Sequence, residues 1–455
     1  MNSANLGAAA AVLLAYAALC FFVYRAERAR RMQAGRDAAA LSPAAHDAVP
    51  MLVAYGSQTG FAEQLAWQSA RLLHTGGVPV RVLPLGQLTR AELERTERAL
   101  FIVSTYGEGD APDNAARFAQ QLMSAELKLP RLHHAVLALG DSSYAHFCGF
   151  GRRLDAWLQE RSAGVLFDRV ELDNEDAAAL TTWQHQVARL AGTGDLPDWQ
   201  APAFAPWRLV ERLVLNAGSV GAPVCHLELE PAAGVPLPQW EAGDLVQVRA
   251  PADPQRPREY TISSLPADGR LHLLVRQERH ADGSLGCASG WLTTQAQVGE
   301  PVELRLRAHS SFRIGDNAAR ALVLIGNGTG LAGLRSHLKA RSACAERPPA
   351  WLLFGERESA HDRYFADEID AWLAQGVLAR ADLVFSRDQA ERVYVQHRLI
   401  AQAQRLREWV ADGAAIYVCG SLEGMAAGVD AALAQLLGRD ELASLSDAGR
   451  YRRDV

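Results

Sequence analysis

Four times along the chain, a short unbroken apolar run ends at a loop rich in glycine and small polar residues: MLVAY (51–55) at GSQTG, ALFIV (99–103) at STYGEGD, AVLAL (135–139) at GDSSYAH and ALVLI (321–325) at GNGTG. Runs without polar alternation belong to strands buried on both faces, as in parallel sheets with helices on either side. The carboxyl ends of such strands are where open α/β sheets bind ligands. WLLF (351–354), DLVF (382–385) and AIYVC (415–419) continue this rhythm in the carboxyl half.

Between about 207 and 316 the pattern changes. LVERLVLN, CHLELE, LVQVRA, LHLLVRQ and VELRLR alternate apolar with polar residues, predicting a small antiparallel barrel. The Gly/Pro-rich stretch 191–206 breaks both periods and reads as a linker. The 455 residues are enough for about three domains of roughly 150 residues. A formal charge of −6 gives no footing for a nucleic-acid binder. Six cysteines without a C-x-x-C pair, and no local histidine motif, predict neither a zinc nor an iron–sulfur site and no disulfide framework.

The amino terminus predicts one transmembrane helix. Leu6 to Tyr24 is uncharged, about the twenty residues that cross a roughly 30 Å hydrocarbon core. Arg25, Arg28, Arg30, Arg31 and Arg36 follow it and no basic residue precedes it, which places the amino terminus outside and the remaining chain in the cytoplasm. The expected organisation is an anchor (1–24), a juxtamembrane tether (25–49), a first α/β domain (50–192), a linker (193–206), the barrel (207–316) and a second α/β domain (317–455).

The loop after the first strand, Ser57-Gln58-Thr59-Gly60, opens a helix, so backbone N–H groups and hydroxyls converge as in an anion site. It lacks the lysine of a nucleoside-triphosphate loop and suits a monophosphate. The next two loops each offer one tyrosine, Tyr106 and Tyr144, between which a planar ring system can stack. Together, YGSQTGFAE, STYGEGDAPDNA and LGDSSYAHFCGFG resemble the FMN domain of the diflavin reductases. The resemblance implies a flavodoxin-like fold and FMN. Ser57, Gln58, Thr59 and Gly60 would hold its phosphate, Tyr106 and Tyr144 would flank the ring, and Gly107, Gly109, His146 and Phe147 would shape the loops.

In the barrel block, Arg258-Glu259-Tyr260-Thr261 on a strand and Gly286-Cys287-Ala288-Ser289 at a helix start offer a guanidinium and a hydroxyl suited to a pyrophosphate. The pair resembles the FAD signature of the ferredoxin–NADP reductase superfamily. Arg258 and Ser289 would then bind FAD phosphate, Gly286 and Cys287 would form the loop, Tyr260 would pack on the flavin and Thr261 would lie near the reacting nitrogen. Further on, Gly328, Thr329 and Gly330 form a second phosphate loop, and Ser386, Arg387, Arg392, Tyr394 and Gln396 gather after another strand, a set able to grip a ribose 2′-phosphate. This segment resembles the NADPH loop of sulfite reductase flavoproteins and NADPH–hemoprotein reductases. Cys419-Gly420 matches their motif beside the nicotinamide.

The fold class implied is thus a flavodoxin-like α/β domain plus a ferredoxin–NADP reductase-like module, barrel and α/β NADP domain, preceded by one transmembrane helix. Thr261, Cys419 and Asp454 are the expected catalytic residues. Three departures from the family stand out. Gly243-Asp244-Leu245-Val246 runs almost directly into Arg258, with no helical connecting domain between. GNGTGLAGL replaces the family's Gly-Pro-Gly-Thr-Gly-x-Ala-Pro-Phe, predicting a more flexible loop. The sequence stops at Tyr451-Arg452-Arg453-Asp454-Val455, without the family's terminal aromatic.

The implied activity is electron transfer from NADPH through FAD and FMN to a redox acceptor protein, basic or membrane-associated, with Glu108, Asp110, Asp113 and Asp141 as an acidic docking rim. A haem protein leads the acceptors. A sulfite reductase partner, a ferric-siderophore or metal reductase role, and a non-enzymatic flavin-binding carrier are the alternatives.

Overall fold

A computed structural model describes residues 50–174, 176–193, 203–344 and 347–455. The expected anchor (1–24), tether (25–49) and most of the expected linker (193–206) lie outside the described residues. Among those described, no helix is long and apolar enough to cross a membrane.

The first sheet contains β1 (Met51–Gly56), β2 (Val80–Pro84), β3 (Arg98–Ser104), β4 (His133–Gly140), β5 (Gly164–Val165) and β6 (Val170–Asp173). Its order is β2-β1-β3-β4-β5, all parallel, with β6 also on β4. The last position is a split strand: β5 pairs with the start of β4 and β6 with its end. Helices Phe61–Thr75 and Ala177–Ala191 cover one face, burying Met51, Val53, Leu65, Leu100, Ile102 and Trp183. The Trp183 indole N–H donates to the buried Ser69 hydroxyl at 3.0 Å, satisfying the one polar atom this side chain carries into the core. Helix Gly149–Glu160 packs its Phe150, Leu154 and Trp157 with Phe101 and Val136 on the other face.

The second unit contains β7 (Ala205–Val214), β8 (Val224–Pro231), β9 (Leu245–Ala250), β10 (Asp253–Thr261), β11 (Leu271–Arg276) and β12 (Pro301–Arg307). The strands are antiparallel in the order β10-β9-β12-β7-β8-β11. Closure comes from the chain just beyond β10, where Ile262 bridges Leu273 and the Ser263 N–H donates to the His272 carbonyl at 2.9 Å. This bridge joins the two ends of the sheet, and the inward residues (Leu209, Leu227, Val246, Val248, Leu273, Leu304) form one core. Its first strand begins at Ala205, inside the stretch expected to be linker. β9 and β10 are a hairpin in which Ala250 faces Asp253, so no further element stands between them.

The third unit is the parallel sheet β15-β14-β13-β16-β17, formed by β13 (Leu322–Asn327), β14 (Ala350–Glu356), β15 (Leu378–Phe385), β16 (Ala415–Cys419) and β17 (Tyr451–Asp454). The order reverses between β13 and β16, creating the crevice where doubly wound sheets hold ligands. β17 was not legible as a strand, because YRRD carries three charges. Pairing with β16 and burial of Tyr451 make it one.

Candidate active site and cofactor clefts

Every loop at the carboxyl end of β1, β3 and β4 opens on one cleft of about 1360 Å³. Ser57, Gln58, Thr59, Tyr106, Gly107, Tyr144, His146 and Phe147 line it, as do Asp141, Asn174 and Thr105. Gly60 and Gly109 are not among its lining residues, and Gly109 packs against His146. The helix from Phe61 starts at Gly60 with φ +94°, and no side chain caps it, so its first N–H groups remain available to an anion. The Ser57 hydroxyl accepts from the Gly60 N–H at 2.9 Å and holds the loop in shape. Tyr106 and Asp110 exchange backbone hydrogen bonds (2.9 and 2.8 Å), making a tight turn against His146. The Thr105 hydroxyl is buried in this cleft wall with no protein partner, as expected where a bound group supplies one. The donor set fits FMN.

The opposite wall belongs to the barrel: Gln247, Arg249, Arg256, Arg258, Glu259, Arg305 and Arg307. The Arg249 and Arg305 guanidiniums lie 3.8 and 4.4 Å from the centre of the Phe204 ring, and that of Arg307 lies 4.7 Å over Phe61. Such a concentration of guanidinium groups suits phosphates from both sides of the cleft. Arg258 and Tyr260 share one face of β10. Burial raises the Tyr260 hydroxyl above its ordinary range and keeps it neutral. Ser289 stands in a helix of only four residues, Cys287–Gly290, with Gly286 before it. Its oxygen already accepts the Glu278 N–H at 3.1 Å, leaving its hydrogen to donate to a ligand. Of the expected FAD residues only Arg258 lines the shared cleft, while Tyr260, Thr261, Gly286, Cys287 and Ser289 are not among its lining; the guanidiniums and the Ser289 hydroxyl are the groups that fit FAD.

Thr261, Cys419 and Asp454 come together from three different elements. Cys419 on β16 and Asp454 on β17 are register partners. The Thr261 hydroxyl donates to Asp454 Oδ2 at 2.7 Å, and the Cys419 thiol reaches the same oxygen at 3.5 Å. Complete burial, then the adjacent Asp454 charge and this hydrogen bond, push the thiol pKa well up, so Cys419 stays a neutral donor. Asp454 Oδ1 lies 4.0 Å from Nδ1 of the buried His309, which the sequence did not single out.

A second cleft, about 500 Å³, contains Ser386, Arg387, Arg392, Tyr394 and Gln396, gathered as expected. Ser386 is buried, whereas Arg387, Arg392 and Tyr394 are exposed on the rim. Gly328, Thr329 and Gly330 connect β13 to an uncapped helix, Leu331–Ser342, but they are not among the residues lining this cleft, which the loop enters only through Asn327. A Cβ at Gly330 would collide with the Cys419 carbonyl, so glycine is required for the two loops to meet. Asn327, in place of the family's proline, ties the loop down. Its Oδ1 accepts the Ser421 N–H (3.1 Å) and its Nδ2 donates to the Ser421 hydroxyl (3.3 Å), a strap where greater looseness was expected. Arg276 was also missed. It arrives from β11 of the barrel, pairs with Glu356 and leaves its buried Nε without a partner at the cleft.

The acidic rim is a partial correction. Glu108 and Asp110 are exposed, but Asp113 is paired with Arg453 of β17 (Nε to Oδ2, 2.8 Å), and Asp141 lines the shared cleft opposite Arg258. Burial opposes the Asp141 charge, yet hydrogen bonds from Ser143 and Asn174 and the attraction of Arg258 hold its carboxyl below the usual range. Two of the four acids are therefore engaged within the molecule.

A flavodoxin-like unit, a flavin barrel and a dinucleotide sheet sharing two clefts define a pyridine-nucleotide-dependent flavoprotein with two flavin sites. Residues 53–183 match the flavodoxin family and residues 324–431 match the oxidoreductase NAD-binding domain. Among curated proteins, the chain is similar to NADPH sulfite reductase flavoprotein alpha-components. That of Vibrio cholerae is 26% identical (89% of this chain, 87% of the relative), and that of Bacillus subtilis 28% identical (93% and 92%). That of Neisseria meningitidis serogroup B is also 28% identical, covering 93% of each. The chain is an NADPH-dependent flavin oxidoreductase that uses FMN and FAD, and it is similar to the diflavin reductases. The alignments run over 535 to 562 positions, longer than this chain, so the relatives carry sequence that it lacks.

Proposed function

We propose that this protein is a membrane-anchored reductase that takes electrons from NADPH and delivers them singly to a protein acceptor, foremost a haem protein. Bound in the shared cleft, FAD and FMN supply the conversion from two-electron to one-electron transfer. The chain's own residues hold and orient. Arg387 and Arg392 flank the position proposed for the 2′-phosphate, Ser386 and Gln396 hold the ribose, and the strap from Asn327 to Ser421 sets the nicotinamide end. Asp454, fixed by Thr261 and Cys419, places a carboxylate beside the site where charge develops as a hydride departs.

The single observation carrying this reading is the common cleft: the FMN loops and the Arg258 strand face each other without an intervening element. Direct apposition gives the two flavin sites a short path in a chain with no connecting domain. For delivery to an acceptor, the FMN unit turns its acidic face outward, exchanging Arg453 and Arg258 for a basic partner. The uncharged run 6–24 and the arginines after it support a single span with the amino terminus outside and the catalytic units in the cytoplasm. The names of the relatives favour one second reading, that the acceptor is a sulfite-reducing partner.

Replacing Arg387 with alanine tests the nucleotide assignment. NADPH-driven flavin reduction should weaken by roughly tenfold or more while NADH-driven reduction changes little. Equal losses with both nucleotides overturn it. Affinity capture from detergent-solubilised membranes separates the acceptors: a haem protein that does not reduce sulfite supports the first reading, a sulfite-reducing enzyme the second.

A further inference from the structure

We infer that the barrel carries a binding site for one zinc-class divalent ion, formed by His226, Glu228 and His272. His226 and Glu228 are two residues apart on β8 and so share a face, and His272 on β11 is the register partner of Glu228. One potential ligand atom from each lies within 4.8 Å of the others. The two imidazole rings stand 4.9 Å apart, and His272 Nε2 is 3.8 Å from Glu228 Oε1. In a tetrahedral zinc site with bonds of roughly 2.1 Å, neighbouring ligands sit about 3.4 Å apart, so modest side-chain rotations close the site.

A second observation points to a ligand. Both histidines are 8% exposed, and His226 Nε2 is buried without any hydrogen-bond partner in the protein. Buried polar atoms are rarely left so, because each forfeits its bond to water. Burial, the facing ring and the Arg335 charge hold His226 down to about 4, and burial likewise lowers His272. The neutral imidazole that a metal requires is thus the resident form at neutral pH.

The surrounding charges are balanced in pairs, Arg335 with Glu368, Lys339 with Asp268 and Arg270 with Glu228. Only Arg270, with a solvent-exposed guanidinium, has to release its carboxylate, and it can do so into water. Three protein ligands leave a fourth position for water. The site escaped the sequence because its ligands sit on strands far apart in the chain rather than in a local motif. His226 also packs edge-on against Phe365 of the third unit, so an ion here stiffens the contact between barrel and nucleotide sheet.

The test is calorimetric titration of zinc(II) into the untagged, flavin-loaded full chain after dialysis against chelator, together with His226→Gln, His272→Asn and Arg270→Ala. One equivalent should bind to the unaltered protein and raise its melting temperature. Each histidine variant should lose roughly tenfold or more in affinity, and Arg270→Ala should bind at least as tightly as the unaltered chain. Absence of a stoichiometric site, or equal binding by both histidine variants, overturns the inference. Flavin absorbance and NADPH-driven flavin reduction of the zinc-free variants report folding independently.

Discussion

Asp454 is the residue on which the most converges: two side chains from separate elements donate to one of its oxygens, and His309 faces the other. Asp454→Asn keeps the shape but removes the charge. NADPH-driven reduction, followed by bleaching of the flavin band in stopped flow, should slow by about a hundredfold. Because Cys419 is held as a neutral thiol, Cys419→Ser retains a donor and should lose less than Cys419→Ala; equal losses would remove the hydrogen bond from the account. His337 gives a residue-scale prediction about stability. It is fully buried among Phe312 and Tyr417, and burial holds it down to about 3. The unfolded chain takes up this proton below about 6.5, so stability is intact above that pH and is lost as pH falls toward 3. Between pH 6.5 and 5 the loss is about 2 kcal/mol. Denaturant midpoints should show a shallower pH dependence in His337→Phe than in the unaltered chain.

At the scale of elements, β17 does two things with adjacent residues. Asp454 faces the hydride site, and Arg453 binds Asp113 of the FMN unit while lying 5.7 Å over the Tyr106 ring. Arg117 to Asp447, at 2.8 Å, repeats the link from the neighbouring helix. Asp113→Asn should therefore slow the transfer of electrons from FAD to FMN in stopped flow while leaving NADPH-driven FAD reduction unchanged. An unaltered interflavin rate contradicts this role for the pair. Strands buried on both faces (β1, β3, β4, β13 and β14) were legible as apolar runs, and β7, β8, β9, β11 and β12 of the barrel as alternation, because each pattern follows from which faces are covered; β10, with two prolines, was legible only around Arg258. The short β2, β5 and β6 lack a long run, and β17 hides its single buried tyrosine among charges. The phosphate loops could be read because helix starts and glycines act locally. Arg276, Asn327 and Thr105 could not, because their roles depend on contacts between segments far apart in sequence.

For the whole molecule, the decisive feature is that three units share their ligand surfaces. The FMN loops and the barrel strand form one cleft, and the nucleotide cleft takes an arginine from the barrel. Sequence indicated both the units and the missing connecting domain, since the interval between Gly243 and Arg258 has room only for the β9–β10 hairpin. It did not indicate that Asp113 and Asp141 are engaged within the molecule while Glu108 and Asp110 stay exposed, because charge along a chain says nothing about which partner meets it. The central claim is that electrons pass from NADPH through both flavins within this one chain. NADPH-dependent reduction of cytochrome c, measured with the flavin-loaded protein and again after selective removal of FMN, tests it most directly. Turnover is expected with both flavins and, without FMN, loss of cytochrome c reduction while ferricyanide is still reduced. No turnover in the fully loaded protein, or cytochrome c reduction that is indifferent to FMN, would contradict it.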